Sequence, residues 1–139
     1  MGTVSAAELG KGTTLADDSG NQIAELQTIG EFGVTKADLD VTAHDSSGNA
    51  MDYLPGLAEG GELACTGNLK TGDTDGQMAA IVDCLAGTRQ YYTLTLPNTA
   101  LSTFVFLGYV KSYRINPQLK DVIKISLTFK IANQPVFTV

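Results

Sequence analysis

His44 is the only histidine of the chain, and it adjoins Asp45 with Asp40 and Asp52 close in sequence. An imidazole beside carboxylates is the raw material of a divalent-metal site or of a general base steadied by an acid. The set is incomplete for either task. Metal centres draw on three or four placed ligands, and hard-cation sites on more. General acid–base chemistry with one histidine lacks a partner to relay the proton. Cys65 and Cys84 form no CxxC pair, and neither has a base beside it that could activate a thiolate. They read as two buried free thiols. Gly30 and Gly33 precede neither a helix nor a Lys-Ser/Thr pair, so they make no phosphate-cradling loop. The expectation is a chain with no catalytic residues, no metal and no cofactor. A hydrolase using His44 and Asp45 is the enzymatic rival, and His44→Ala separates the two.

The elements around these residues are mostly extended. Residues 1–11 are small and polar and read as a flexible N-terminal arm. A single domain over residues 12–139 follows, a size that buries about 70% of the unfolded chain's surface. Gly12 to Leu15 opens a strand, and Asp17-Asp18-Ser19-Gly20-Asn21 is dense turn chemistry. Ile23 to Ile29 is a second strand. From Gly33 to Asp45 the pattern alternates loosely. Asp38 and Asp40 share one face there, and Leu39 and Val41 take the other.

Residues 45–61 predict a long loop, because Asp45 to Asn49, Pro55-Gly56 and Gly60-Gly61 all punctuate it. Met51, Tyr53, Leu54 and Leu57 sit inside this stretch, and water is a poor neighbour for them. Either the loop becomes ordered against another molecule, or it packs on its own domain as an Ω-loop.

Glu62 to Leu69 returns as a strand. A helix is predicted at about 75–86, with Thr74 and Gln77 as a capping box, Met78, Ile81, Val82 and Leu85 as its apolar stripe, and Gly87 as its left-handed stop. Gln90 to Leu96, Ser102 to Asn116 and Val122 to Ala132 read as strands. In the last, Ile123, Ile125, Leu127, Phe129 and Ile131 alternate with Lys124, Ser126, Thr128 and Lys130. At ~3.3 Å per residue it would run about 35 Å. On the strand before it, Val105, Leu107, Tyr109, Tyr113 and Ile115 are expected on one side and Phe104, Phe106 and Val110 on the other.

The bulk composition narrows the partners. Charged residues make up 17% of the chain, and the net charge is −6. Up to residue 70 the chain carries Lys11, Lys36 and Lys70 against eleven acids, whereas the remainder carries six bases against four acids. There is no basic run interleaved with aromatics, so gripping nucleic acid through its phosphates is not expected. No secretory leader pattern and no apolar run of membrane-spanning length is visible, which points to no membrane partner and to assembly in a cytoplasm.

Taken in order, these pieces resemble the major tail tube proteins of long-tailed (siphophage-type) bacteriophages. Lys11-Gly12-Thr13-Thr14-Leu15 resembles that family's opening strand. Val41 to Ser46, the Pro55-Gly56-Leu57 turn and Gly61-Glu62-Leu63 resemble its long hairpin. The helix, Arg89 to Pro97, the strand containing Gly108, and Asp121 to Pro135 are similar to its helix and C-terminal strands. The resemblance runs from about Gly12 to Val136.

It implies a mainly β fold of two packed antiparallel sheets, sandwich- or barrel-like, with one flanking helix. It also implies a virion structural protein of the tail whose subunits close into hexameric rings and stack into a tube. The tube is the conduit for genome ejection, and DNA passes through it without specific binding. The implied partners are further copies of the chain, a tape-measure protein, a tail terminator and tail-tip proteins. Under this reading Met51, Tyr53, Leu54 and Leu57 contact the adjacent ring. Glu31, Asp38 and Asp40 are the candidate acids of the lumen wall, and an outer solvated face fits the same alternation. Two rivals remain: the tube subunit of a contractile injection or type VI secretion-like system, and a monomeric β-sandwich binding module. The latter needs an aromatic platform, and this chain has no Trp and only dispersed Tyr.

Overall fold

The computed structural model describes residues 11–43, 50–98 and 100–139. The N-terminal arm through residue 10, together with His44, Asp45 and the rest of 44–49, lies outside the described residues.

The chain is mainly β, with two antiparallel sheets and one flanking helix. In chain order the elements are β1 (Thr14–Ala16), β2 (Leu26–Ile29), β3 (Thr35–Asp40), β4 (Tyr53–Glu59), β5 (Glu62–Asn68), α1 (Gln77–Ala86), β6 (Gln90–Thr95), β7 (Thr103–Asn116), β8 (Lys124–Ile131) and β9 (Val136–Thr138). The sheets are unequal. Seven strands form one sheet, ordered β1-β6-β7-β8-β5-β2 with β9 added to β7, while β3 and β4 pair only with each other. The large sheet curls into a half-barrel. The segment leading into edge strand β2 returns to β1 at the other edge, where Ile23 N–H donates to Leu15 O (2.9 Å).

Alternation builds this sheet. On β8, Ile125, Leu127, Phe129 and Ile131 are buried, and the residues between them are half-exposed. On β5, Leu63 and Cys65 point into the same core. Tyr92 packs between Phe106 and Phe129, with ring centroids 5.6 and 4.9 Å away. Each such aromatic removes a large apolar area from water and contributes a directional ring contact besides.

β7 departs from simple alternation. A bulge between Val110 and Ser112 reverses the parity, so Val110 faces Phe129 and Tyr113 faces Leu127. Tyr113 therefore packs on the core side, with Phe104, Phe106 and Val110, and not with Val105 as strict alternation predicted.

Three further corrections concern boundaries. The second strand is Leu26–Ile29, shorter than Ile23 to Ile29, because the chain kinks at Glu25 (φ 59°). That kink lies against Gly67, where an added Cβ would stand 2.2 Å from Glu25 O. β8 has eight residues, short of the expected run from Val122 to Ala132. β9 carries no period long enough to announce itself.

Helix α1 starts at Gln77 with no side-chain cap, so Thr74 does not form the expected capping box. Its work falls to Asp73, whose Oδ2 accepts from Gln77 N–H (3.0 Å) and Ala24 N–H (2.9 Å). Gln77 itself is fully buried. Its Nε2 donates to Ala24 O (2.7 Å) and Asn68 O (2.8 Å), and its Oε1 accepts from Lys70 N–H (2.8 Å). This one amide ties the helix to the segment before β2 and to the end of β5. The inward face is therefore Gln77, Ala80, Ile81 and Cys84, one position out of phase with the predicted stripe. Val82 and Leu85 are exposed. Gly87 does end the helix in the left-handed conformation (φ 70°).

Candidate functional site

His44 and Asp45, the dyad considered above, lie outside the described residues. No group of three or more His, Cys, Asp or Glu side chains is placed to hold a metal among the described residues. Asp40 spends one carboxylate oxygen on the Thr42 N–H (2.9 Å), and this hydrogen bond lowers its pKa. Both cysteines are free. Cys65 is buried, which pushes its thiol up to about 12 and away from reactivity. Cys84 is half-buried on the helix. A groove of about 590 Å³ lies between Lys11 to Thr13 and the β2 edge from Leu26 to Ile29, and it holds no convergent set of titratable groups. No helix of the described residues is long and apolar enough to cross a membrane.

What the chain does present is unfinished surface, concentrated on the β3–β4 hairpin. Residues 53–59, expected inside an irregular loop, form a strand. Pro55 and Gly56 break the sequence pattern but not the ladder. Pro55 lies opposite Asp38 at an edge where no further strand needs its missing N–H. Gly56 passes so close to the β3 backbone that an added Cβ would stand 2.9 Å from Ala37 O. A register shift between Lys36 and Asp38 absorbs the extra residue.

The hairpin has two different faces. Asp38 pairs with Pro55 and Asp40 with Tyr53, which places both acids on one side. Leu39 pairs with Leu54 on the other, and Val41 N–H donates to Asp52 O (2.9 Å) to extend that side. Every residue of β3 is exposed. All four residues expected to make contacts are exposed too: Met51, Tyr53, Leu54, and above all Leu57 at 90%. Glu31 is exposed in the connection between β2 and β3, apart from Asp38 and Asp40. The structure thus brings Asp38, Asp40, Met51, Tyr53, Leu54 and Leu57 onto one ribbon. A lone two-stranded ribbon is marginally stable in water. One face carries the acids together with Tyr53, opposite Asp40, and the other carries Leu39 and Leu54, so apolar side chains are left in water on both.

A second unfinished surface is the β7–β8 turn with the strand end before it, where Ile115 of β7 and Leu119, Val122 and Ile123 of the turn are exposed, Leu119 at 98%. It was not anticipated, because these residues read as strand interior or as turn. Exposed Val82 and Leu85 on α1, and Val136 and Phe137 on β9, were likewise missed.

No protein-family model matches the chain, and no curated protein matches it in sequence. Solved structures do match. A chain in the tail of the empty gene transfer agent particle, with C6 symmetry, is 21% identical (TM-score 0.76, 96% of this chain and 100% of that one). A chain in the sheath/tube terminator of the PVC extracellular contractile injection system is 12% identical (TM-score 0.74, covering 99% and 100%). A chain of the SPP1 tail tube is 15% identical (TM-score 0.62, covering 95% and 79%). The chain therefore has the fold of the subunits found in these tails and tubes.

Proposed function

We infer that this protein is the structural subunit of a phage-type tail tube, assembling as stacked rings around a channel. One observation carries the reading: a mainly β fold shared with tail and tube chains leaves a two-stranded ribbon exposed on both faces. Copies of the same chain are the natural way to cover it, since head-to-tail contacts build rings or stacks and closing strands into a barrel removes free edges.

Six subunits per ring agrees with the C6 symmetry of the gene transfer agent tail. In the assembled virion tail, Met51, Tyr53, Leu54 and Leu57 make the contact between rings. Asp38 and Asp40, on the opposite side of the ribbon from Leu39 and Leu54, line the channel near the ring junction, with Glu31 beside the ribbon's base. An acidic wall repels a passing polyanion and keeps it mobile. A tape-measure protein inside the tube, with terminator and tip proteins at its ends, completes the partner set, and assembly takes place in the bacterial cytoplasm. The chain has no catalytic role in this scheme.

The contractile-injection match at TM-score 0.74 favours a second reading, in which the same tube is surrounded by a sheath. Electron microscopy of concentrated protein tests the first claim. Rings or tubes with a central channel are expected. A protein that stays monomeric at high concentration, even with its tail partners, overturns it. Co-expression with a candidate sheath protein then separates the sheathed from the bare tube.

A further inference from the structure

The β3–β4 hairpin and the β7–β8 turn leave the large sheet at opposite ends. β4 passes into β5 through Gly60 and Gly61, next to Glu62, which pairs with Lys130. The other end of the same strand pair is Asn68 opposite Lys124, and the β7–β8 turn begins there, beyond Asn116 opposite Lys124. The eight residues of β8 hold the two attachment points about 23 Å apart. Both surfaces are exposed and apolar, and they carry opposite charge. The described part of the hairpin has Asp38, Asp40 and Asp52 against Lys36, while Glu59 is answered by Lys130 of β8 (3.9 Å). The turn has exposed Lys120 against Asp121, whose carboxylate accepts from Val122 N–H (2.7 Å), and exposed Arg114 near the end of β7 adds a second positive charge beside it.

We propose that the β3–β4 hairpin of one copy docks on the β7–β8 turn of the next copy along the stack, Leu39, Val41 and Leu54 packing against Ile115, Leu119 and Val122. The inference rests on the tube reading and names the surface that receives the hairpin. The occupant is a second copy because the two patches match in character and differ in sign. They are also not self-complementary, and a contact between different patches at opposite ends of a molecule propagates without closing. The ribbon is one layer thick, so the acids of both its faces lie within a Debye length, ~8 Å at physiological salt, of a docked basic turn. Those charges steer the encounter, and the leucines hold it. Asp38 and Asp40, on the other side of the ribbon from Leu39 and Leu54, then face away from the docked side.

Cross-linking tests this directly. Leu54→Cys and Leu119→Cys are made separately, each in a Cys84→Ser background, and mixed during assembly. Cys65 is buried and stays silent. A short bis-maleimide is expected to give a dimer of the two variants in the mixed tubes and none from either variant alone. Tubes that form but give no cross-link, or that link Leu54→Cys to itself, overturn the docking and leave the tube reading standing. A wild-type chain that forms no rings or tubes removes both.

A second arm uses charge. Arg114→Glu with Lys120→Glu lies on exposed positions and leaves the monomer's circular dichroism unchanged. It is expected to raise the concentration needed for elongation about tenfold at low salt, since like charges in an interface cost far more than an exposed pair contributes. An unchanged threshold overturns the docking.

Discussion

Leu39 and Leu54 stand directly opposite each other in the β3–β4 ladder, and each keeps about half its surface in water, at 51% and 53%. Cross-strand apolar pairs usually stabilise a sheet by shielding one another. Here the pairing leaves half of each side chain unshielded. Replacing both by serine should change unfolding stability by no more than about 0.5 kcal/mol, the usual range at exposed positions. The same variant should fail to sediment as tubes. Urea unfolding and sedimentation of one preparation check both halves.

Gln77 offers the reverse case, where the monomer depends on a polar side chain. Gln77→Leu keeps the volume but leaves Ala24 O, Asn68 O and Lys70 N–H without their partner. Stranded buried polar groups cost about 1–3 kcal/mol each, so a total loss of about 3 kcal/mol is expected after partial rehydration. Thermal unfolding measures it, and a midpoint equal to wild type would show that the helix is held by apolar packing alone.

Gln77 also explains how far the fold could be read from residues alone. β8 was legible because apolar and polar residues alternate where one face is buried, and β6 because its aromatics and threonines favour extended backbone. The helix was legible in extent but not in phase. Its inward face includes a glutamine and Ala80, while the greasier Val82 and Leu85 point outward, so hydrophobicity selected the wrong stripe. β7 misled through its bulge, which follows from pairing with β8 and leaves no local signal. Pro55 and Gly56 hid β4, because both residues punctuate most sequences and here sit in an edge ribbon that tolerates them. The apolar set Met51, Tyr53, Leu54 and Leu57 was recognisable as needing cover, but whether the domain itself supplied it stayed open in the sequence. That Tyr53, Leu54 and Leu57 belong to a regular strand paired with β3 required the structure.

The thiols should differ in reactivity. Burial raises the Cys65 thiol to about 12, so a negligible thiolate fraction exists near neutrality and reagent access is poor as well. At pH 8 a maleimide should modify the folded protein only at Cys84, and Cys65 should react once urea unfolds the chain. Peptide mass mapping distinguishes the sites. Rapid native labelling of Cys65 would mean that the β5–β8 core opens easily.

Asp83 gives the chain a pH dependence of definite sign. Partial burial raises its pKa first of all; the Gln90 hydrogen bond (Nε2 to Oδ2, 2.6 Å) lowers it, and nearby Asp17 raises it. Its position in the last turn of α1, where a negative charge opposes the helix dipole, acts in the same direction as burial. A carboxyl with a raised folded pKa binds its proton more tightly in the native state than in the unfolded one. Its favourable contribution is complete below the unfolded value, and it is lost as pH rises through the folded value. At neutral pH the ionised group therefore weakens the fold. Asp83→Asn removes the charge and keeps an oxygen for Gln90 to donate to. The variant should unfold at higher urea than wild type at pH 7, and the two curves should converge as pH falls below the ordinary carboxylate range. A gain that persisted unchanged at pH 3 would assign the effect to packing, and a loss at pH 7 would show that the carboxylate earns more from Gln90 than burial removes.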